Sequence, residues 1–279
     1  MPSSLKIVIA DADEEVRLAV SEAAVAAAPD AQVTEIADGR ALETVLAGGG
    51  IDILFIDSIL PRMDGLNLVT WSEAQGGNCL IVLVTDLLSP QWPFVAKRIG
   101  AYDVVLKPLR ASHVGRVVEA SRVLRRKLSL LVADPGRETR ALIGRLLADS
   151  RFRFEICEVT GGREALRMIE RTTIDLAFVE TNLPDFPALE VACRLNDRHP
   201  EAKIILSGRT IDPGLTRQFS TFGISGFLQK PFGFAEIDKM LHEAFGLWRP
   251  YLINALHAEE RRVLESGSAN TAGLKRHPR

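Results

Sequence analysis

The chain has 279 residues, 47% of them hydrophobic and 25% charged, with a formal net charge of −2. That length favours about two domains, each with enough apolar residues for a full core. The near-neutral charge argues against a nucleic-acid footprint, and no apolar run approaches the roughly 20 residues of a membrane span. Met1-Pro2-Ser3-Ser4-Leu5-Lys6 enters a strand pattern at once, leaving no room for a signal peptide. Cys79, Cys157 and Cys193 are odd in number and lack metal spacing. They are expected to be reduced, buried thiols of a cytoplasmic protein.

In chain order, residues 5–10, 32–36, 53–56, 80–85 and 103–106 read as strands. Helical patterns at 14–28, 39–46, 67–73, 91–99 and 111–124 separate and follow them. The strands are too continuously apolar to keep one wet face, which predicts a parallel sheet covered on both sides. Gly48-Gly49-Gly50 matches no phosphate-loop pattern and sits where a turn is needed. The last helical pattern runs on through Arg122, Arg125, Arg126 and Lys127 with no Gly/Ser-rich linker. These cations read either as a solvated helix face or as an attraction for an acidic partner. Further strands near 130–133, 154–159, 176–179, 204–207 and 226–228 repeat the order. The expectation is an α/β fold of two doubly wound domains, 1–127 and 128–247, followed by a tail, 248–279. Within that tail Leu252, Leu256 and Val263 mark an apolar helical stripe; the last residues have the composition of a disordered segment.

Chemistry enters through a repeat. Asp11, Asp57 and Lys107 recur as Asp134, Glu180 and Lys230, each pair separated by 123 positions. Leu60-Pro61 recurs as Leu183-Pro184, and both lysines follow an apolar run and precede proline. A period of domain size means two copies of one domain. In a doubly wound fold functional groups gather at the carboxyl ends of the strands, where Asp11, Asp57, Thr85 and Lys107 all fall. The exchange of Asp57 for Glu180 gives the two copies different tasks.

With Leu5-Lys6, Asp11, Asp57, Pro61, Met63-Asp64-Gly65, Thr85 and Lys107-Pro108 in order, the first copy resembles a receiver domain of bacterial two-component response regulators. The second copy resembles a degenerate one. The resemblance implies two flavodoxin-like (βα)5 domains in tandem with strand order 2-1-3-4-5. It also implies that Asp57 is the phosphoacceptor, that Lys107 pairs with the phosphoryl group and that Thr85 donates a hydrogen bond to it. Mg2+ would be held by Asp11, Asp57 and the Ile59 backbone carbonyl, with Asp13 as a further candidate. Two departures stand out. Ala12 falls where the family carries a second acid, which predicts a weakened Mg2+ site. Val104 falls where receivers carry an aromatic that moves with the threonine. Ile59 and Leu87 place apolar side chains where the family controls access of water to the phosphoryl group, and plain packing accounts for them equally.

In the second copy Asp134, Glu180, Ser207 and Lys230 stand for the site, and Phe227 holds the aromatic position. Glu180 either mimics the phosphorylated state or satisfies a buried Lys230. His113, His199, His242 and His257 lie in ordinary contexts, while Trp92 and Phe94 fall on the fourth helix, where an aromatic anchor or core packing are both open. The expected function is a response regulator without an output effector domain, not an enzyme. It would be phosphorylated on Asp57 by a histidine kinase or phosphotransfer protein and signal by contact with a downstream protein. The alternative is a phosphorylation-independent scaffold or adaptor. No nucleic-acid or membrane partner is expected, and a homodimer is left open.

Overall fold

The computed structural model describes residues 4–62, 71, 79–86, 92–210, 213–217, 219–247 and 250. The described residues fall into two compact units with the break between Ser121 and Arg122. Met63, Asp64, Gly65, Leu87, the side chains of Trp92 and Phe94, the 67–73 helix apart from Trp71, and the tail from 251 lie outside the described residues.

The first unit contains strands β1 (Lys6–Ala10), β2 (Gln32–Ile36), β3 (Ile53–Asp57), β4 (Leu80–Thr85) and β5 (Asp103–Leu106). Its helices are α1 (Glu14–Ala27), α2 (Gly39–Ala47), α3 (Trp92–Arg98) and α4 (Ala111–Leu124), the last reaching past the break between the units. The strands pair in parallel in the order β2-β1-β3-β4-β5. Every residue of β3 and of β4 is buried, as expected for central strands covered on both faces. The edge strand β2 instead exposes Gln32, Thr34 and Glu35, polar residues that discourage pairing with another chain. Helix α1 starts where the Asp13 side chain accepts the Glu15 N–H at 2.9 Å, with Glu14 and Glu15 beside the positive helix end. The glycine run is the expected turn: Gly49 and Gly50 have φ of 65° and 70°, a region costly for other residues.

The second unit repeats the plan with β6 (Lys127–Ala133), β7 (Arg153–Val159), β8 (Leu176–Glu180), β9 (Lys203–Gly208) and β10 (Ile224–Gln229). Between and after them lie α5 (Arg137–Ala148), α6 (Gly162–Arg171), α7 (Ala188–Arg198), the short α8 (Pro213–Thr216) and α9 (Phe234–Ala244). The sheet order is β7-β6-β8-β9-β10, again all parallel. The helix expected to run on through Lys127 stops at Leu124, and Lys127 already belongs to β6. Two of that basic group are tied to carboxylates: Arg126 to Asp175 and Lys127 to Glu155, each at 2.9 Å. Cys79 is buried as expected, but Cys157 and Cys193 are only half-buried, and all three are free thiols.

Candidate functional site

In each sheet the β1-type strand ends beside the central β3-type strand, and the side chains at these ends converge. Asp11 follows β1, Asp57 closes β3, Thr85 closes β4 and Lys107 follows β5. The Lys107 Nζ lies 2.8 Å from Asp11 Oδ2 and 2.5 Å from Asp57 Oδ2, so one ammonium bridges two buried carboxylates. Burial pushes the Lys107 pKa down, but hydrogen bonds to Asp11 and Asp57 and their negative charge outweigh this and raise it. Asp57 Oδ1 accepts the Ile59 N–H at 2.8 Å, which fixes the Ile59 backbone next to the carboxylate. Ser58 Oγ donates to Thr85 Oγ1 at 3.1 Å and lies 3.5 Å from Asp57 Oδ1. The Ile59 side chain itself is 81% exposed and packs into no core.

Asp13 does not face this cluster. Its carboxylate caps α1 through the Glu15 N–H, and its own N–H donates to Asp11 Oδ1 at 2.9 Å. The Asp13 carboxylate is thus engaged at the helix start. Among the described residues no group of three or more acids, histidines or cysteines is placed to hold a metal ion. Asp11 and Asp57 still form a two-carboxylate pair beside a backbone turn. Mg2+ is held through one or two carboxylates with water completing the octahedron, so this donor set fits it.

The second unit builds the same bridge. Lys230 Nζ lies 2.6 Å from Asp134 Oδ2 and contacts Glu180 Oε2, with Asp134 and Glu180 both buried. Burial again lowers the lysine pKa while hydrogen bonds and charge from Asp134 and Glu180 raise it overall. Glu180 Oε1 accepts from Thr181 Oγ1 at 3.0 Å and the Asn182 N–H at 3.2 Å, as Asp57 Oδ1 does from Ser58 and Ile59. Lys107–Pro108 and Lys230–Pro231 are both cis.

One assignment is corrected by register. Asp57 pairs with Val84, and Glu180 pairs with Ser207, so Ser207 is the counterpart of Val84. The Lys107 N–H donates to Thr85 O and the Lys230 N–H to Gly208 O, both at 2.8 Å, so Gly208 stands where Thr85 does. A Cβ at Gly208 would lie 2.4 Å from Thr181 Oγ1. The strand-end hydroxyl is thus absent from the second site, and a neighbouring threonine fills its space. Val104 and Phe227 hold equivalent places, opposite Leu83 and Leu206; Val104 is buried and Phe227 packs partly buried on the core.

Sequence reading passed over Arg17. Its Nη1 donates to the carbonyls of Asp11 at 2.8 Å and Ala12 at 3.0 Å. Arg140 donates to the Asp134 carbonyl at 2.7 Å. The signal was available, since Arg17 and Arg140 stand 123 positions apart like the site residues. Of the described histidines, His199 bonds the Ile169 carbonyl at 3.0 Å, and His242 is buried against Phe152.

Comparison with known proteins agrees with this architecture. A family model described as the response regulator receiver domain matches residues 7–119 and again 130–242. The chain belongs to the response regulator receiver domain family, with two receiver domains in tandem. It is 25% identical over 117 residues to the chemotaxis protein CheY of Listeria monocytogenes, covering 42% of this chain and 98% of that protein. Against the transcriptional activator protein ExaE of Pseudomonas putida the identity is 26% over 103 residues, covering 37% of this chain and 48% of the other. A solved structure of a putative two-component system response regulator/GGDEF domain protein has a TM-score of 0.59 at 18% identity. It covers 87% of this chain and 98% of that one, a likeness of fold. Receiver domains serve phosphorylation-based signalling in two-component systems and bind Mg2+ in their active site. No helix among the described residues is long and apolar enough to cross a membrane.

Proposed function

We propose that the first domain accepts a phosphoryl group on Asp57 and that the second is a fixed, non-accepting receiver, the chain signalling through protein contacts rather than as an enzyme. The observation that carries this is the pair of lysine bridges. Lys107 joins Asp11 to an aspartate, Lys230 joins Asp134 to a glutamate, and only the first site keeps a hydroxyl at the end of its fourth strand. The donor is a histidine kinase or phosphotransfer protein. Its phosphorus–nitrogen bond breaks with the electron pair left on the imidazole, and a bond from Asp57 oxygen to phosphorus forms. A divalent cation held by Asp11, Asp57 and the Ile59 carbonyl would neutralise phosphoryl oxygens. Lys107 exchanges its contact with Asp57 Oδ2 for a phosphoryl oxygen, and the Thr85 hydroxyl leaves Ser58 to donate to another. The exposed Ile59 side chain then stands at the rim and keeps water from the adduct.

A second reading is a scaffold that never accepts phosphate. Ala12 and the turning of Asp13 into a helix cap favour it, because they leave the cation two carboxylates. Acetyl phosphate with Mg2+, followed by intact mass, separates the two. One phosphoryl group per chain is expected, lost in Asp57→Asn and kept in Glu180→Gln. An unmodified wild-type mass under saturating donor overturns the phosphoacceptor in favour of the scaffold.

A further inference from the structure

Asp11 and Ala12 lie beyond Ala10, the last paired residue of β1, so no strand holds their carbonyls. A single side chain does. Arg17, one turn into α1, spans both carbonyls with Nη1 and directs Nε toward Glu35 Oε2 on β2 at 3.8 Å. Its side chain is largely buried. The second domain repeats the clamp at the same positions: Arg140 holds the Asp134 carbonyl and sets Nε 2.9 Å from Glu158 Oε2 on β7. Glu35 and Glu158 sit opposite Ile9 and Val132, equivalent points of the two sheets. Between the copies the residues beside the acid changed completely, from Ala12-Asp13 to Pro135-Gly136, and the acceptor changed from Asp57 to Glu180. What the clamp retains in both is the direction of the one strand-end acid that faces the lysine.

We infer that Arg17 is a positioning residue that sets the divalent-cation affinity of the first site by orienting Asp11. The inference rests on the reading of that site as a metal-assisted phosphoacceptor. With Ala12 in place of a second loop acid, Asp11 is the single loop carboxylate directed at the cation, so a rotation of its backbone carries the whole loop contribution away. A guanidinium can serve two carbonyls and a carboxylate together; an ammonium is a point charge without that fork. Partners behind a metal ligand typically change metal affinity about 10–100-fold when removed.

The test uses the full chain and two readouts. Calorimetric titration of the unphosphorylated protein with Mg2+ should show about 10-fold weaker binding in Arg17→Lys and Arg17→Met. The Mg2+ concentration giving half-maximal phosphorylation by acetyl phosphate should rise in parallel, with the same final phosphorylated fraction at saturating Mg2+. Arg140→Met should leave both unchanged. Should Arg17→Met fail to fold, Arg17→Lys and Glu35→Gln carry the measurement. Unaltered Mg2+ affinity in folded Arg17 variants overturns the inference, as does a wild type that binds no Mg2+. A wild type that binds Mg2+ yet takes no phosphate overturns the proposed function alone, because calorimetry still reads the effect of Arg17.

Discussion

The two domains use one piece of chemistry, a lysine bridging a loop acid and a strand-end acid, and differ in the strand-end acid and in the residue that closes the fourth strand. In the first, Asp57 gives Oδ2 to Lys107, which is 12% exposed, and Oδ1 to the Ile59 N–H and a long contact from Ser58. In the second, Glu180 reaches Lys230 while Oε1 takes two further donors, one of them the Thr181 hydroxyl. Where the first site has Thr85, the second has Gly208, its space filled by Thr181. Asp57 and Glu180 accept from the same places, one lysine, the hydroxyl of the next residue and the N–H two residues on, so the two bridges are bonded alike.

Breaking the two bridges should give the largest effect. Lys230→Met leaves Asp134 and Glu180 facing each other in a poorly solvated site, at a cost of roughly 3 kcal/mol; the 21% exposure of Lys230 keeps it from exceeding that. Lys107→Met should destabilise the first domain similarly but be recovered by millimolar Mg2+, because a divalent cation can take the place of the ammonium between Asp11 and Asp57. Denaturant unfolding with and without Mg2+ checks this, and equal Mg2+ rescue of both variants would erase the proposed difference between the sites.

A smaller effect belongs to the filled hydroxyl position. Gly208→Ala should destabilise the second domain by about 1–2 kcal/mol through the close approach to Thr181 Oγ1. Thr181→Ala should remove most of that penalty, so the double-mutant cycle should show coupling. Additive costs would mean that the glycine has another cause.

Alkaline pH gives the mildest probe. Lys107 and Lys230 both have raised pKa values in the folded chain. A raised lysine contributes stability that is fully present below its unfolded pKa, roughly 10.4, and is lost as pH rises through the folded value. Thermal melts should thus hold level up to about pH 10 and fall above it, with the fall reduced in Lys230→Met. A profile unchanged by that substitution would take Lys230 out of the linkage.

The 123-residue offset made the strand order, the domain repeat and the Asp11–Asp57–Lys107 convergence legible, because strand-end positions in a doubly wound sheet meet whatever the loops between them do. Ser207 was misplaced by one residue, since hydroxyl chemistry alone suggested it as the counterpart of Thr85 and pairing with Glu180 showed otherwise. A second exchange, at positions the offset also pairs, shows its meaning only in contacts. In the first domain Asp38 caps α2 and pairs with Arg62 at 3.2 Å. In the second, Gly161 stands at the cap and Asp185, at the position of Arg62, reaches over to bond the Gly162 and Arg163 N–H groups. A Cβ at Gly161 would lie 2.6 Å from the Asp185 carboxylate, so the two changes belong together.

Periodicity, the repeated acids and the two lysines were enough to determine the α/β class, the tandem of two domains and which residues share a site, since these depend on spacing along the chain. The tertiary structure alone decided that Asp13 caps a helix, that Arg17 and Arg140 clamp the loop acids and that Asp185 caps a helix 23 positions upstream. Each of these depends on where a side chain ends in space. A carboxylate or guanidinium reaches several ångströms from its own backbone, and its partner is set by strand register and loop path rather than by its neighbours in sequence.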